Sequence, residues 1–194
     1  RSSIGIFPTG VGASYRASAT DARTRWRHSS SNRFRRSRSC GYLPRVQPIR
    51  AVDWTADGSA VRIIDQRRLP TAFVERDLTT LDAVCDAIRT LAVRGAPAIG
   101  VAGAMGLVVA LDPFIDEPAA HFLERLRAFA TAIRSTRPTA VNLPWAIDRM
   151  LRVAEGAGDA PRAVVDALRS EATRIRDEDR EMCERIGLHG LSLL

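Results

Sequence analysis

The stretch Ala96–Leu111 constrains this chain more than any other, because its sixteen residues carry no charge and are interrupted by glycines at 100, 103 and 106. It is shorter than the ~20 residues a membrane-spanning helix needs. A helix that is apolar on all sides must be buried on all sides. Glycine costs a helix about 1 kcal/mol relative to alanine, so a glycine row predicts close approach of another backbone. The reading is a buried helix that starts near Pro97, which suits a first helical position.

The flanking residues supply what could surround it. Arg50–Trp54 and Ser59–Ile64 bracket Thr55-Ala-Asp-Gly58, and the Asp57-Gly58 pair offers the positive-φ residue of a tight turn, so a small hairpin is expected. Phe73-Val74 is a candidate third strand. A sheet this small is marginal alone and must pack on helices. Thr79 with Asp82 reads as a capping box, followed by Leu81, Val84, Cys85, Ile88 and Leu91 at helical spacing. Asp116 is the expected cap of a third helix with the stripe Phe122, Leu123, Leu126, Phe129, Ala130 and Ile133. A fourth runs through Trp145, Ile147, Met150, Leu151 and Val153 to Gly156. A fifth spans about 161–185, with Val164, Val165, Leu168, Ala172, Ile175 and Met182 facing inward. The expected fold class is α+β: a small amino-terminal antiparallel sheet packed on a mainly helical domain.

Charge divides the chain at about residue 48. The whole carries +7, but residues 1–50 hold eleven arginines and one acid, Asp21, so the remainder is mildly acidic. Residues 1–48 show Ser/Arg runs without period and are expected to be a disordered extension. Their composition is compatible with translated upstream sequence, an organelle leader, or contact with single-stranded nucleic acid. The expected folded unit is 49–194, with no membrane segment and no nucleic-acid surface. Cys40, Cys85 and Cys183 lack metal or disulfide spacing, which fits a reducing cytoplasm. Cys85 reads as a core residue and His121 as a surface residue, while His189 receives no role. Asp177, Glu178 and Asp179 point about 100° apart on a helix, so they read as ion-paired surface and not as a metal site.

Two segments carry chemistry. In Val93-Arg-Gly-Ala-Pro-Ala-Ile-Gly100, Arg94 ends one helix, Gly95 permits a sharp turn and Pro97 opens the next helix. Helix-start amides and the positive dipole end bind anions, and an arginine fork matches phosphate oxygens. Ser135-Thr-Arg-Pro-Thr-Ala-Val-Asn-Leu-Pro-Trp145 repeats the pattern with Arg137 before a proline at a turn into a helix. On physics alone, both arginines are either phosphate clamps or simple caps of neighbouring helices.

Both segments resemble signatures of the methylthioribose-1-phosphate isomerases, a family related to the alpha, beta and delta regulatory subunits of translation initiation factor 2B. The hairpin with Asp65-Gln-Arg-Arg-Leu-Pro70 and the closing Asp179-Arg-Glu-Met-Cys-Glu-Arg-Ile-Gly187 match in the same order, so the resemblance covers about 49–194. It implies that Arg94, Gly95, Ala96 and Arg137 bind substrate. It further implies interconversion of 5-methylthioribose 1-phosphate and 5-methylthioribulose 1-phosphate in methionine salvage, without metal or organic cofactor, in a cytoplasmic protein that is a homodimer at full length. Phosphate blocks the anomeric carbon of this substrate, so the ring must open before hydrogen moves between C1 and C2. The family's reactive cysteine and later aspartate match positions beyond residue 194, as does its carboxyl-terminal Rossmann-like domain. The chain is therefore expected to be a truncated, inactive isomerase with no catalytic residue of its own. The alternatives are a regulatory initiation factor 2B-like subunit and a ribose-1,5-bisphosphate isomerase-like protein.

Overall fold

In the computed structural model, which describes residues 49–191 and 193, three strands precede five helices. The expectation of disorder over 1–48, and Cys40, lie outside the described residues. Strands β1 (Val52–Trp54), β2 (Val61–Ile64) and β3 (Glu75–Leu78) form an antiparallel sheet in that order, with Val52 opposite Ile63 and Val61 opposite Leu78. The hairpin forms as its turn residues require: Gly58 takes φ 71°, its N–H donates to the Thr55 carbonyl at 2.8 Å, and the Ala60 carbonyl accepts from Thr55 N at 3.0 Å. Hydroxyl and amide donors from Thr55 and Ser59 hold the Asp57 carboxyl down to about 2. The third strand starts at Glu75, just after Phe73-Val74; the Val74 carbonyl still accepts from Asp65 N at 2.8 Å at the end of the β2–β3 ladder, while Phe73 is left exposed.

Helix α1 (Leu81–Arg89) is capped by Thr80, which accepts from Ala83 N at 3.2 Å, so the sequence expectation of Thr79 is off by one residue. Leu91, read as a core position of α1, instead lies past the helix end at φ 62° with its side chain exposed. A non-glycine residue there costs roughly 1–2 kcal/mol. Ala92 and Val93, fully buried beside it, offset that strain.

Helix α2 (Ala96–Leu111) is the predicted buried helix, and it begins one residue earlier than expected, with Pro97 second. With the 3-10 turn Asp112–Phe114, the apolar stretch reaches 19 residues, long and apolar enough to cross a membrane. Every residue from Ile99 to Leu111 is buried, enclosed by α1, α3 (Ala119–Ser135), α4 (Asn142–Gly156) and α5 (Pro161–Leu191). The glycines meet different neighbours, since positions three apart drift around a helix by about 60°. A Cβ on Gly100 would lie 2.9 Å from the Asn142 carbonyl oxygen, one on Gly103 2.4 Å from Leu143 Cδ1, and one on Gly106 2.4 Å from Val84 Cγ1. Only Gly100 therefore faces a backbone. The row is wholly covered, so it adds nothing to any exposed apolar surface.

The remaining helices depart from expectation mainly at their starts. Helix α3 begins after Pro118 without a side-chain cap, and Asp116 instead accepts from Arg162 at 3.4 Å. Helix α5 continues six residues past the expected end. Trp145, read as part of the fourth helix, and Met182, read as facing inward on the fifth, are 48% and 47% exposed. The sheet is fastened to α5 by Trp54 Nε1 donating to Thr173 Oγ1 at 3.0 Å and by Arg169 Nη1 donating to the Gly58 carbonyl at 2.7 Å.

Gly100→Ala and Gly106→Ala are each expected to destabilise the fold by about 1–3 kcal/mol in urea unfolding, since a carbonyl and a stiff valine cannot yield. Gly103→Ala meets only the end of a flexible leucine and gains helix propensity, so it should fall within about 1 kcal/mol of wild type.

Candidate functional site

Both candidate segments lie at helix starts, and the packing of α2 on α4 puts those starts together. Gly100 abuts Asn142, and one turn further along Gly103 abuts Leu143 and Ile147, so the contacts advance in the same direction along both helices. The two amino-terminal ends therefore point the same way, and their positive dipole ends add.

At α2 the chain turns through Gly95 at φ 96° and ψ 130°, a conformation strained for any L side chain. No side chain caps this end and no acid sits in its first turn. The first intrahelical bond is Ile99 N to the Gly95 carbonyl at 3.0 Å. The amides of Gly95, Ala96 and Ala98 thus lack intrahelical partners, and Pro97 has none to offer. Residues 94–97 are all exposed. Arg94 does not end α1, as the sequence suggested. It closes a short link after Arg89, and its guanidinium makes no hydrogen bond or ion pair among the described residues.

Arg137 likewise sits further from its helix than expected. Its carbonyl accepts from Ala140 N at 3.1 Å, closing a turn with Pro138 second, before α4 starts at Asn142. Proline fixes the φ that this turn position requires. Helix α4 also lacks a side-chain cap and a first-turn acid. Arg137 is half-buried, and its side chain too has no partner among the described residues.

Between these starts and α5 runs a cleft of about 420 Å³, lined by Pro97, Gly100, Val101, Val141, Asn142, Trp145, Ile175, Glu178, Asp179 and Met182. The acidic run read from sequence separates here by partner. Asp177 pairs with Arg176 at 2.9 Å, while Glu178 accepts two bonds from Arg149, at 2.6 and 2.8 Å, which hold its carboxyl below the usual range. Arg149 also bonds Glu171, which is 3% exposed, so α4 and α5 are joined by an ion network that is buried at Glu171 and open to solvent at Glu178. Asp179 has no ion pair among the described residues and faces the cleft, where burial pushes its carboxyl up. Sequence gave no signal for this division beyond helical spacing. Burial also pushes the Cys85 thiol up, as befits the core residue expected. Among the described residues no three His, Cys, Asp or Glu side chains converge.

A model of the initiation factor 2 subunit family matches residues 92–194, which include both arginine segments and the whole of α5. The chain belongs to the initiation factor 2 subunit family. It is 51% identical over 144 residues to a methylthioribose-1-phosphate isomerase of Gemmatimonas aurantiaca, an alignment covering 74% of this chain and 41% of that one. Its structure is similar to that of 5-methylthioribose 1-phosphate isomerase from Pyrococcus horikoshii, with a TM-score of 0.71, 34% identity, and coverage of 75% of this chain and 40% of that one. It is also similar to the translation initiation factor eIF-2B subunit delta from A. fulgidus, with a TM-score of 0.64 at 34% identity, covering 69% and 38%. The chain therefore spans about two fifths of the length of the relatives it matches.

One buried charge anchors this end of the domain. Asp65 is 2% exposed and paired with Arg67 at 2.6 Å and Arg76 at 3.5 Å, and Arg67's hydrogen bonds above all hold its carboxyl well below the usual range. A depressed folded-state pKa stabilises the fold above the unfolded carboxylate value of about 3.9, and that contribution is lost as pH falls through the folded value. Asp65→Asn should thus be less stable than wild type at pH 7. The gap should narrow steadily below about pH 4 in acid-unfolding curves; a gap independent of pH would contradict the assignment.

Proposed function

We propose that this segment is the phosphate-gripping wall of a methylthioribose-1-phosphate isomerase. The observation that carries the reading is the joining of two uncapped helix starts, each preceded by an arginine without a partner among the described residues, into one positively polarised end. In it, Arg94 and Arg137 bind the phosphate of 5-methylthioribose 1-phosphate by charged hydrogen bonds, while the Gly95 and Ala96 amides add neutral ones. The 51% identity to an isomerase favours this over the regulatory subunit relative.

The wall binds and orients; it does not move the proton. Transfer from C2 to C1 needs groups within hydrogen-bond reach of those carbons, and the resemblance assigns that cysteine and aspartate to positions past residue 194. Positioning also needs an opposing wall that excludes water. The exposed apolar residues on α4 and α5, among them Trp145, Met182 and Ile186, are consistent with a surface that meets the rest of a full-length, homodimeric, cytoplasmic enzyme.

Residues 49–194 joined to the remaining length of the Gemmatimonas relative provide the test. Arg94→Ala and Arg137→Ala should each lower kcat/KM by a factor equivalent to about 1.5–3 kcal/mol, the value of a charged hydrogen bond. Arg94→Lys should also impair it, because an ammonium cannot reproduce a bidentate fork. Unchanged kinetics in both alanine variants would reduce the two arginines to structural roles.

A further inference from the structure

The segment Asp65–Pro70 resembles its counterpart in the isomerases yet takes no part in the grip described above. Its corner lies directly against the link that carries Arg94. Gln66 N donates to the Ala92 carbonyl at 3.0 Å and Gln66 Nε2 to the Arg94 carbonyl at 3.4 Å. Arg67 Nη1 donates to Thr90 Oγ1 at 2.9 Å, while its Nε and Nη2 are held by the buried Asp65 at 2.8 and 2.6 Å. The link itself is poorly restrained by its own helix. Thr90 is tied back to α1 by its N–H and its hydroxyl, which both donate to the Asp86 carbonyl at 2.8 Å; beyond it only Leu91 N to the Ile88 carbonyl, at 3.4 Å, and Val93 N to the Ala87 carbonyl, at 3.2 Å, do so among the described residues, and the link contains two positive-φ residues, Leu91 and Gly95.

We propose that Gln66 is a positioning residue for anion binding, holding the Arg94–Gly95 peptide so that the Gly95 N–H faces the ligand. A peptide unit is planar and trans, so its C=O and N–H point in opposite directions. Drawing the Arg94 carbonyl toward Gln66 turns the Gly95 N–H to the opposite side, away from the loop. Glycine has no side chain to restrict this plane, so without the bond the amide is free to swing. The Asp65–Arg67 pair fixes the corner from which Gln66 reaches. Gln66 touches the carbonyl and not the anion, so it acts through the turn.

This inference rests on the phosphate-site reading, and titration of the chain with inorganic phosphate and with ribose 1-phosphate separates the two. The readouts are the amide NMR shifts of Gly95, Ala96 and Ala98, the dissociation constants and the melting temperature. In wild type, both probes should shift these amides. Gln66→Met keeps length but loses the donor. It should weaken both probes by about threefold to tenfold, the worth of one hydrogen bond, and reduce the Gly95 response most, with the melting temperature unchanged. Gln66→His, which retains a ring N–H, should recover much of the affinity. If wild type shows no response at these amides, the phosphate-site reading falls and this inference with it. If wild type responds and Gln66→Met matches it, the phosphate site stands and the positioning role is overturned. A Gln66→Met chain that loses its fold would also overturn it, since that makes Gln66 a stability residue.

Discussion

Everything at the candidate site depends on the contact between Gly100 and the Asn142 carbonyl. A methyl group in that space would push α4 away from α2, and with it the loop bearing Arg137 away from the link bearing Arg94. Glycine weakens the most buried helix of the domain by about 1 kcal/mol relative to alanine. The same absence of a side chain lets two helix starts lie side by side. Burial of α2 on all sides then makes the arrangement rigid, because a close-packed interior does not deform continuously. The polarised end is thus a consequence of core packing, and not a feature added to the surface.

Charge secures the arrangement where apolar packing runs out. Arg149 reaches from α4 to the buried Glu171 and the more exposed Glu178 on α5, and removing one partner from a buried pair such as Arg149–Glu171 typically costs about 3–5 kcal/mol. That network fixes the wall of the cleft opposite α2, and it explains why Glu178 is committed to an ion pair while Asp179 remains facing the cleft. At the other end, Asp65 and Arg67 do for the loop what Arg149 does for the helices. Each site holds a buried carboxylate with both oxygens engaged: Arg67 bonds both oxygens of Asp65, whereas Glu171 meets Arg149 on one oxygen and Arg174 on the other, at 3.1 Å.

The sequence was legible where periodicity spoke and silent where single backbone bonds decided. The Asp57-Gly58 turn follows from its residue types, the buried character of α2 from the absence of charge on any face, and the apolar stripes of α3 and α5 from spacing of 3.6 residues, and the α+β class follows from them. Misreadings cluster at helix ends. Thr79 and Thr80 are equally good caps by composition, and only the register of α1 chooses between them. Leu91 continues a helical pattern through a residue whose backbone has already left the helix. Met182 fits an inward stripe but, like Trp145, borders a cleft that helical spacing cannot reveal. Residue type and a proline shortly after mark Arg94 and Arg137 in the sequence, three positions on for Arg94 and next to Arg137, but nothing there shows their setting in links outside the helix termini. Gln66 carried no local signal at all, since its partners are backbone carbonyls 26 and 28 positions away.

The proposed division of labour has this segment grip the phosphate and residues that match positions beyond 194 carry the chemistry. Ketose formation from 5-methylthioribose 1-phosphate measures it most directly, comparing the 194-residue chain alone with the same segment joined to the remaining length of the Gemmatimonas relative. Turnover is expected from the joined protein and none from the chain alone. Turnover by the short chain at a rate near that of the joined protein would contradict it.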